Sequence, residues 1–331
     1  MNNVPVIDVH THMVSREYID VIKQRGGDYT VDTIVGGQTA IHRKGAPFMT
    51  LFDEMFDYGL RIKNMDKAGV DVSIVSLTCP SVYWGGEDLS VSTTELMNGH
   101  MFAAQKSHPS RIRYFATLPW QYPDAAIRQL DRALDNGAVG VMVLANIAGE
   151  ELISERLAPV WKHIDKHALP VLVHPTTPPG LEAMEMRAYN LVASIGFMFD
   201  TTLALTKMIF DGFLDRYPNL KIIASHGGAT LPYIIGRLDR CHETMPPCRV
   251  KISNAPSSYM RKIYIDSVVY NVSSLMMGID VCGEDNILYG SDYPHNIGDM
   301  AGCLSRVNAL QSAQRDKARG LNAMRIFNLG L

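Results

Sequence analysis

Eight short apolar runs punctuate this sequence; three of them end in a histidine and a fourth is followed at once by an aspartate, Asp292. The runs are Val4–His12, Val70–Leu77, Ile112–Leu118, Ala138–Leu144, Pro170–His174, Leu220–His226, Ile263–Val269 and Ile287–Ser291. Most are continuous rather than alternating, the pattern of parallel strands covered on both faces. Helix-like stretches lie between them. Asp124–Leu134 repeats apolar residues at helical spacing and stops at Asn136-Gly137, Pro159–His167 and Ala204–Tyr217 repeat the scheme, and a further helix is expected from about Asp53 to Ala68. Eight β-then-α units with short connections predict a (β/α)8 barrel, whose sites lie at the carboxyl ends of its strands. An open doubly wound sheet is the alternative, but the glycine-rich phosphate turn expected after an early strand is missing.

The 331 residues are read as one domain, 1–331, with an insertion at about 13–52 that fits no barrel unit. Within the insertion, Tyr29–Ile41 reads as a hairpin turning at Gly36-Gly37, with His42, Arg43 and Lys44 close behind, and it is expected to roof the site as a lid. Hydrophobic residues make up 47% and charged residues 20%, with a net charge of -3, so neither disorder nor a nucleic-acid partner is indicated. No basic-then-apolar leader and no unbroken run of about 18 apolar residues is seen, so no membrane association and a cytoplasmic location are expected. The five cysteines, Cys79, Cys241, Cys248, Cys282 and Cys303, show no paired spacing and are read as reduced packing residues. Asn271-Val272-Ser273 matches a glycosylation acceptor but is read as unmodified.

The chemistry is carried by what ends the strands. Side chains alternate along a strand, so His10 and His12 point to one side and can grip one ion together. A catalytic site of the zinc type wants about three protein ligands and an open position, and His10, His12, His174 and Asp292 supply three imidazoles and a carboxylate. His226 is either a ligand to a second ion or a proton-handling residue beside the first. A second ion needs a bridging group, and the fourth strand ends in Ala145-Asn146 with no Lys or Glu at its tip, which favours one metal. The motifs H-E-x-x-H, G-x-S-x-G and the P-loop are absent. Gly227-Gly228 permits either close backbone approach or a tight turn.

Val6–His12, His174-Pro175-Thr176-Thr177-Pro178-Pro179-Gly180, Ser225-His226-Gly227-Gly228 and Gly290-Ser291-Asp292-Tyr293-Pro294 together resemble the amidohydrolase superfamily. Within it the chain is similar to the branch of aminocarboxymuconate-semialdehyde and γ-resorcylate-type decarboxylases; Leu60–Asp71 also resembles the helix before strand two of these enzymes. The resemblance implies that His10, His12, His174 and Asp292 hold one divalent ion per subunit, Zn2+ or Mn2+, and that His226 is the acid/base residue, with Asp292 sharing the catalytic role. It implies that Arg43 is a lid arginine holding a substrate carboxylate, and that Arg237 is lent by the neighbouring subunit of a homodimer or dimer of dimers. Two departures change the pocket wall: Tyr189–Phe197 replaces a tryptophan-bearing segment, and His295-Asn296 follows Tyr293-Pro294. A planar hydroxy- or amino-substituted unsaturated or aromatic acid, a small-molecule carboxylic acid contacted by Tyr83, Trp84 and Phe197, remains the expected substrate, though each aromatic is equally a core residue. The expected activity is metal-dependent decarboxylation without an organic cofactor. A hydrolase or hydratase acting on a lactone, amide or alkene acid is the alternative, and a structural metal site the third.

Overall fold

The structure, a computed structural model, describes residues 4–178, 180–186 and 188–330; Pro179 of the His174–Gly180 motif lies outside the described residues. The chain opens with β1 (Ile7–Met13), and a three-stranded antiparallel sheet follows, made of β2 (Tyr29–Thr33), β3 (Thr39–Arg43) and β4 (Ala46–Thr50). Then come β5 (Val72–Leu77), β6 (Ile112–Ala116), β7 (Gly140–Leu144), a minor ribbon of β8 (Asn146–Ile147) and β9 (Glu150–Glu151), β10 (Pro170–His174), β11 (Lys221–Ala224), β12 (Tyr264–Asp266) and β13 (Ile287–Leu288). Strands β1, β5, β6, β7, β10, β11, β12 and β13 pair in that order, every pair parallel. The ends of this sheet meet. The Val9 N–H donates to the Tyr289 carbonyl at 3.0 Å, the Asp292 N–H to His10 at 2.8 Å and the His12 N–H to Tyr293 at 2.8 Å. This is the (β/α)8 barrel expected from the eight runs.

Burial on both faces explains the strand composition. All seven residues of β1, all six of β5 and all five of β7 and β10 are buried. The helices bury one stripe each. In Pro123–Asp135, with proline in its first turn, Ala125, Ala126, Gln129, Leu130 and Ala133 face inward. Truncating Leu130 to Ala there would cost about 2–5 kcal/mol through lost burial and the cavity left.

Three expectations needed correction at their edges. The Ala204–Tyr217 helix is two, Phe197–Phe210 and Phe213–Arg216, because Gly212 adopts a left-handed φ of 68°. The Asp53–Ala68 helix is a short 3-10 turn, Asp53–Met55, and a helix, Tyr58–Ala68, started by the Asp57 side chain accepting from the Leu60 N–H. The sixth barrel strand ends at Ala224 rather than His226, for reasons that belong to the site. The stretch Ala188–Phe210 is long and apolar enough to cross a membrane by length and composition. Here it buries Asp200, Leu205, Met208 and Ile209 against the barrel.

Candidate active site

The carboxyl ends of β1, β10, β11 and the segment after β13 bring four imidazoles around one carboxylate. Asp292 Oδ1 lies 3.3 Å from His10 Nε2, 3.2 Å from His12 Nε2 and 4.0 Å from His174 Nε2, and Asp292 Oδ2 lies 3.5 Å from His226 Nε2. All five side chains are buried. Strand β1 carries one extra residue against β5, since Asp8 to Thr11 spans three steps where Ser73 to Val75 spans two. A bulge of this kind re-aims side chains beside a site. The His10 and His12 rings nevertheless meet edge to face at 5.0 Å.

Three of the four rings are fixed by their other nitrogen. His10 Nδ1 pairs with Asp266 at 2.6 Å, His12 Nδ1 with the Ser76 hydroxyl at 3.1 Å, and His174 Nδ1 with the Pro175 carbonyl at 2.9 Å. That leaves the Nε2 atoms of His10, His12 and His174 and Asp292 Oδ1 buried, convergent and without a hydrogen-bond partner. A set of buried, unpaired donor atoms of these types is costly unless a cation receives them, so these residues fit a divalent ion. Burial drives the His12 imidazole well below its ordinary pKa despite the Asp292 contact, and drives His174 down to about 3. Both are therefore neutral, the form that ligates metal. For His10 burial works downward too, but Asp266 and Asp292 outweigh it and raise the group to about 10. Burial would lift Asp292, yet the four imidazoles hold it well below the usual carboxylate range.

His226 and Asp292 both adopt the left-handed backbone region, at φ 55° and 58°. For residues with a side chain this conformation is sparsely populated, and it concentrates where function over-determines the backbone. It explains why β11 stops early. His226, Gly227 and Gly228 form a tight left-handed turn, φ 55°, 65° and 78°, that swings the imidazole over the barrel mouth. Among the described residues, a Cβ on Gly227 would lie 2.4 Å from Val269 Cγ1, so the glycine pair serves close approach and the turn alike.

The sequence reading missed Asp266. Its carboxylate accepts from His10 Nδ1 and also from the backbone N–H groups of His226 at 3.0 Å, Gly227 at 2.8 Å and Val268 at 3.0 Å. The available signal was an aspartate inside the apolar run Ile263–Val269, where a buried charge needs a partner. Burial would raise its pKa, but the His10 hydrogen bond and charge, the nearby His226 and the Gly227 N–H hold it low. Arg61 was missed as well. It is fully buried, and its guanidinium donates to the Thr11 hydroxyl, the His12 carbonyl and Met13 Sδ and lies over the Tyr293 ring, bracing the end of β1.

A cavity of about 810 Å³ opens above the cluster, with His174, His226, Asp292 and His295 among its lining. The expected hairpin is present, pairing Thr33 with Thr39, and β4 extends it into a sheet. From it Arg43, Lys44, Pro47, Phe48 and Met49 line the cavity. Arg43 lines the wall with a buried, unpaired Nε, its guanidinium 5.9 Å from the centre of the Tyr29 ring. Phe197 also lines it. Trp84 and Tyr83 do not: the Trp84 indole donates to the Ser81 carbonyl at 2.9 Å and meets Tyr18 edge to face, and Tyr83 is buried in the core. Arg237 stands apart from the cavity, exposed on helix Leu231–Thr244. Asn146, at the fourth strand's tip, is engaged with Asp200 at 2.9 Å and the Thr177 carbonyl at 3.2 Å. His295 was noted only as a departure in the wall; it pairs with the Thr78 hydroxyl at 2.9 Å, its ring 4.8 Å from that of His12.

An eight-stranded barrel with a histidine–aspartate cluster at its carboxyl face defines a class, and the comparisons agree with it. The chain belongs to the amidohydrolase family, whose profile matches residues 7–329. It is 26% identical over 331 residues to the 2-amino-3-carboxymuconate-6-semialdehyde decarboxylase of Dictyostelium discoideum, covering 98% of this chain and 91% of that protein. It is 28% identical over 285 residues to a γ-resorcylate decarboxylase of Polaromonas sp., covering 81% and 86%. A dihydroxybenzoic acid decarboxylase from Polaromonas sp., solved with bound manganese and the inhibitor 2-nitroresorcinol, superposes with a TM-score of 0.82 at 22% identity over 99% of this chain and 98% of that one.

Proposed function

We propose that this protein is a metal-dependent decarboxylase of a hydroxy- or amino-substituted aromatic or unsaturated carboxylic acid. The observation that carries the reading is the set of buried, partnerless Nε2 atoms of His10, His12 and His174 with Asp292 Oδ1, at the floor of a cavity whose roof presents Arg43. The relatives named above are decarboxylases, and one holds manganese, which supports Mn2+ here; the single convergent set of three imidazoles and one carboxylate suits one ion per subunit, Mn2+ or Zn2+. Once bound, the ion would supply positive charge that orients a substrate oxygen and stabilises charge developing on it.

The chain's own residues do the rest. Arg43 holds a substrate carboxylate by charge-assisted hydrogen bonds. His226, 3.5 Å from Asp292 and held over the cavity by its turn, delivers a proton to the ring carbon that bears the departing carboxylate. A C–H bond forms, the C–CO2 bond breaks, and its electron pair restores conjugation as CO2 leaves. The proton lost by His226 is regained from solvent, so the balance is a carboxylate plus one proton giving CO2 and the substituted ring or alkene with hydrogen in place of the carboxylate. The apolar wall of Phe48, Leu181, Val192 and Phe197 suits a planar ring.

We infer further that the protein is a homodimer in which Arg237 serves the partner's site. Tyr233, one turn before Arg237 on the same helix face, is 80% exposed, as an interface residue would be in an isolated chain. The test of the chemistry is His226→Asn. Turnover, followed as CO2 release across hydroxybenzoates, resorcylates and muconate semialdehydes, should fall by about 10²–10⁴ with metal content intact. Retained activity would remove His226 from the reaction.

A further inference from the structure

We propose that Asp266 is the positioning residue that couples the metal-holding half of the site to its proton-delivering half; this rests on the reading of His10 as a ligand. One fully buried carboxylate receives four donors. Oδ2 takes His10 Nδ1–H and the His226 N–H, while Oδ1 takes the Gly227 and Val268 N–H groups. The first bond keeps a proton on His10 Nδ1, which reserves Nε2, the atom that faces Asp292, as the one that would ligate an ion. The backbone bonds hold the left-handed turn that aims His226. Gly290 lets the pair lie side by side, since a Cβ there would come within 3.0 Å of His10 Cβ and 3.1 Å of Asp266 Cβ.

Four donors and no acceptor around the carboxylate make an asymmetric test. In Asp266→Asn the new NH2 must oppose N–H groups whichever way it turns. Facing His10, it draws the ring into the other tautomer, with a proton on Nε2 where the ion should be. Facing Gly227 and Val268, it opens the turn. Mn2+ affinity, measured by equilibrium dialysis, should fall about 10–100-fold in Asp266→Asn, and at least as far as in Asp266→Ala, which puts no donor there. Thermal melts at saturating Mn2+ run alongside. A merely structural aspartate would lower the melting temperature, leave Mn2+ affinity of the folded fraction unchanged and make Asn the gentler change. If Asp266→Asn does not fold, Asp266→Ala is read in the same assay, where wild-type affinity overturns the proposal. Should wild-type protein take up no Mn2+, the metal reading falls and this inference with it; should wild type and both variants bind alike, only the inference falls.

A separate observation carries a second site. His163 and His167, four apart on the helix Ala158–Lys166 and its cap, stand beside Asp131 of Pro123–Asp135. His163 Nε2 lies 2.6 Å from Asp131 Oδ1, the two rings are 4.9 Å apart, and one ligand atom from each residue falls within 4.8 Å of the others. We propose that this surface triad binds Zn2+ in preference to Mn2+, as two imidazoles and one carboxylate with room for water should. Dialysis should find one more Zn2+ than Mn2+ per chain, and the extra ion should vanish in His163→Ala/His167→Ala while Mn2+ uptake stays the same. Equal Zn2+ uptake by wild type and the double variant would overturn it.

Discussion

Replacing Gly227 by alanine perturbs the turn that aims His226, and its cost can be worked from two observations. The residue sits at φ 65°, where an added Cβ costs about 1–2 kcal/mol. That Cβ would also stand 2.4 Å from Val269 Cγ1, a clash with a branched side chain that must be relieved by an off-rotamer shift or backbone movement, for about 1–3 kcal/mol. The sum, about 2–5 kcal/mol, is a large fraction of a typical domain's stability. Urea unfolding of Gly227→Ala, Val269→Ala and the double variant separates the parts. Because Val269→Ala removes the clashing atom, the double variant should recover at least about 1 kcal/mol relative to additivity, while the backbone part persists. Strict additivity would refute the steric argument, and wild-type stability of Gly227→Ala would refute both parts.

Gly99 is the counterpart: helical, exposed and with open space at its Cβ position, so Gly99→Ala should stabilise by about 0.8 kcal/mol in the same assay. Arg43→Ala should lower kcat/KM about 10–100-fold, chiefly through KM, as loss of a charge-assisted contact predicts. Mixing Arg43→Ala with Arg237→Ala protein should restore activity if sites are shared between subunits, and no recovery would exclude that sharing. Burial lifts the Asp200 carboxyl from 3.8 to about 6, against its bonds to Thr176 and Asn146. The folded state then binds more protons than the unfolded between those values, so Asp200's contribution is full below about pH 4 and is lost, by about 3 kcal/mol, as pH rises to about 6. Asp200→Asn should flatten that part of the stability profile, whatever its absolute stability, and parallel profiles would contradict the assignment.

The barrel was legible because its strands are buried on both faces, which writes them as apolar runs such as Val171–Val173 and Ile222–Ala224. His10, His12, His174, His226 and Asp292 were legible because polar residues at the ends of such runs have little other reason to be there. What escaped was whatever depends on contacts across the barrel. Asp266 is a lone aspartate in sequence, and only the folded chain brings it to His10, 256 positions away. Arg61 reads as one charge on an amphipathic helix until the end of β1 is seen to receive it. The left-handed turn at His226 shortened a strand that the run Leu220–His226 extends, since a hydrophobic pattern carries no record of φ. Trp84 was drawn toward the substrate by its type, yet its indole is spent on the Ser81 carbonyl.

The central claim is that His10, His12, His174 and Asp292 together hold a divalent ion, and metal content measured by mass spectrometry on Mn2+-equilibrated, dialysed protein tests it most directly. One tightly held Mn2+ per chain is predicted in the wild type, and almost none in His12→Ala or Asp292→Ala variants that melt cooperatively. Equal Mn2+ in all three, or none in the wild type, would contradict it.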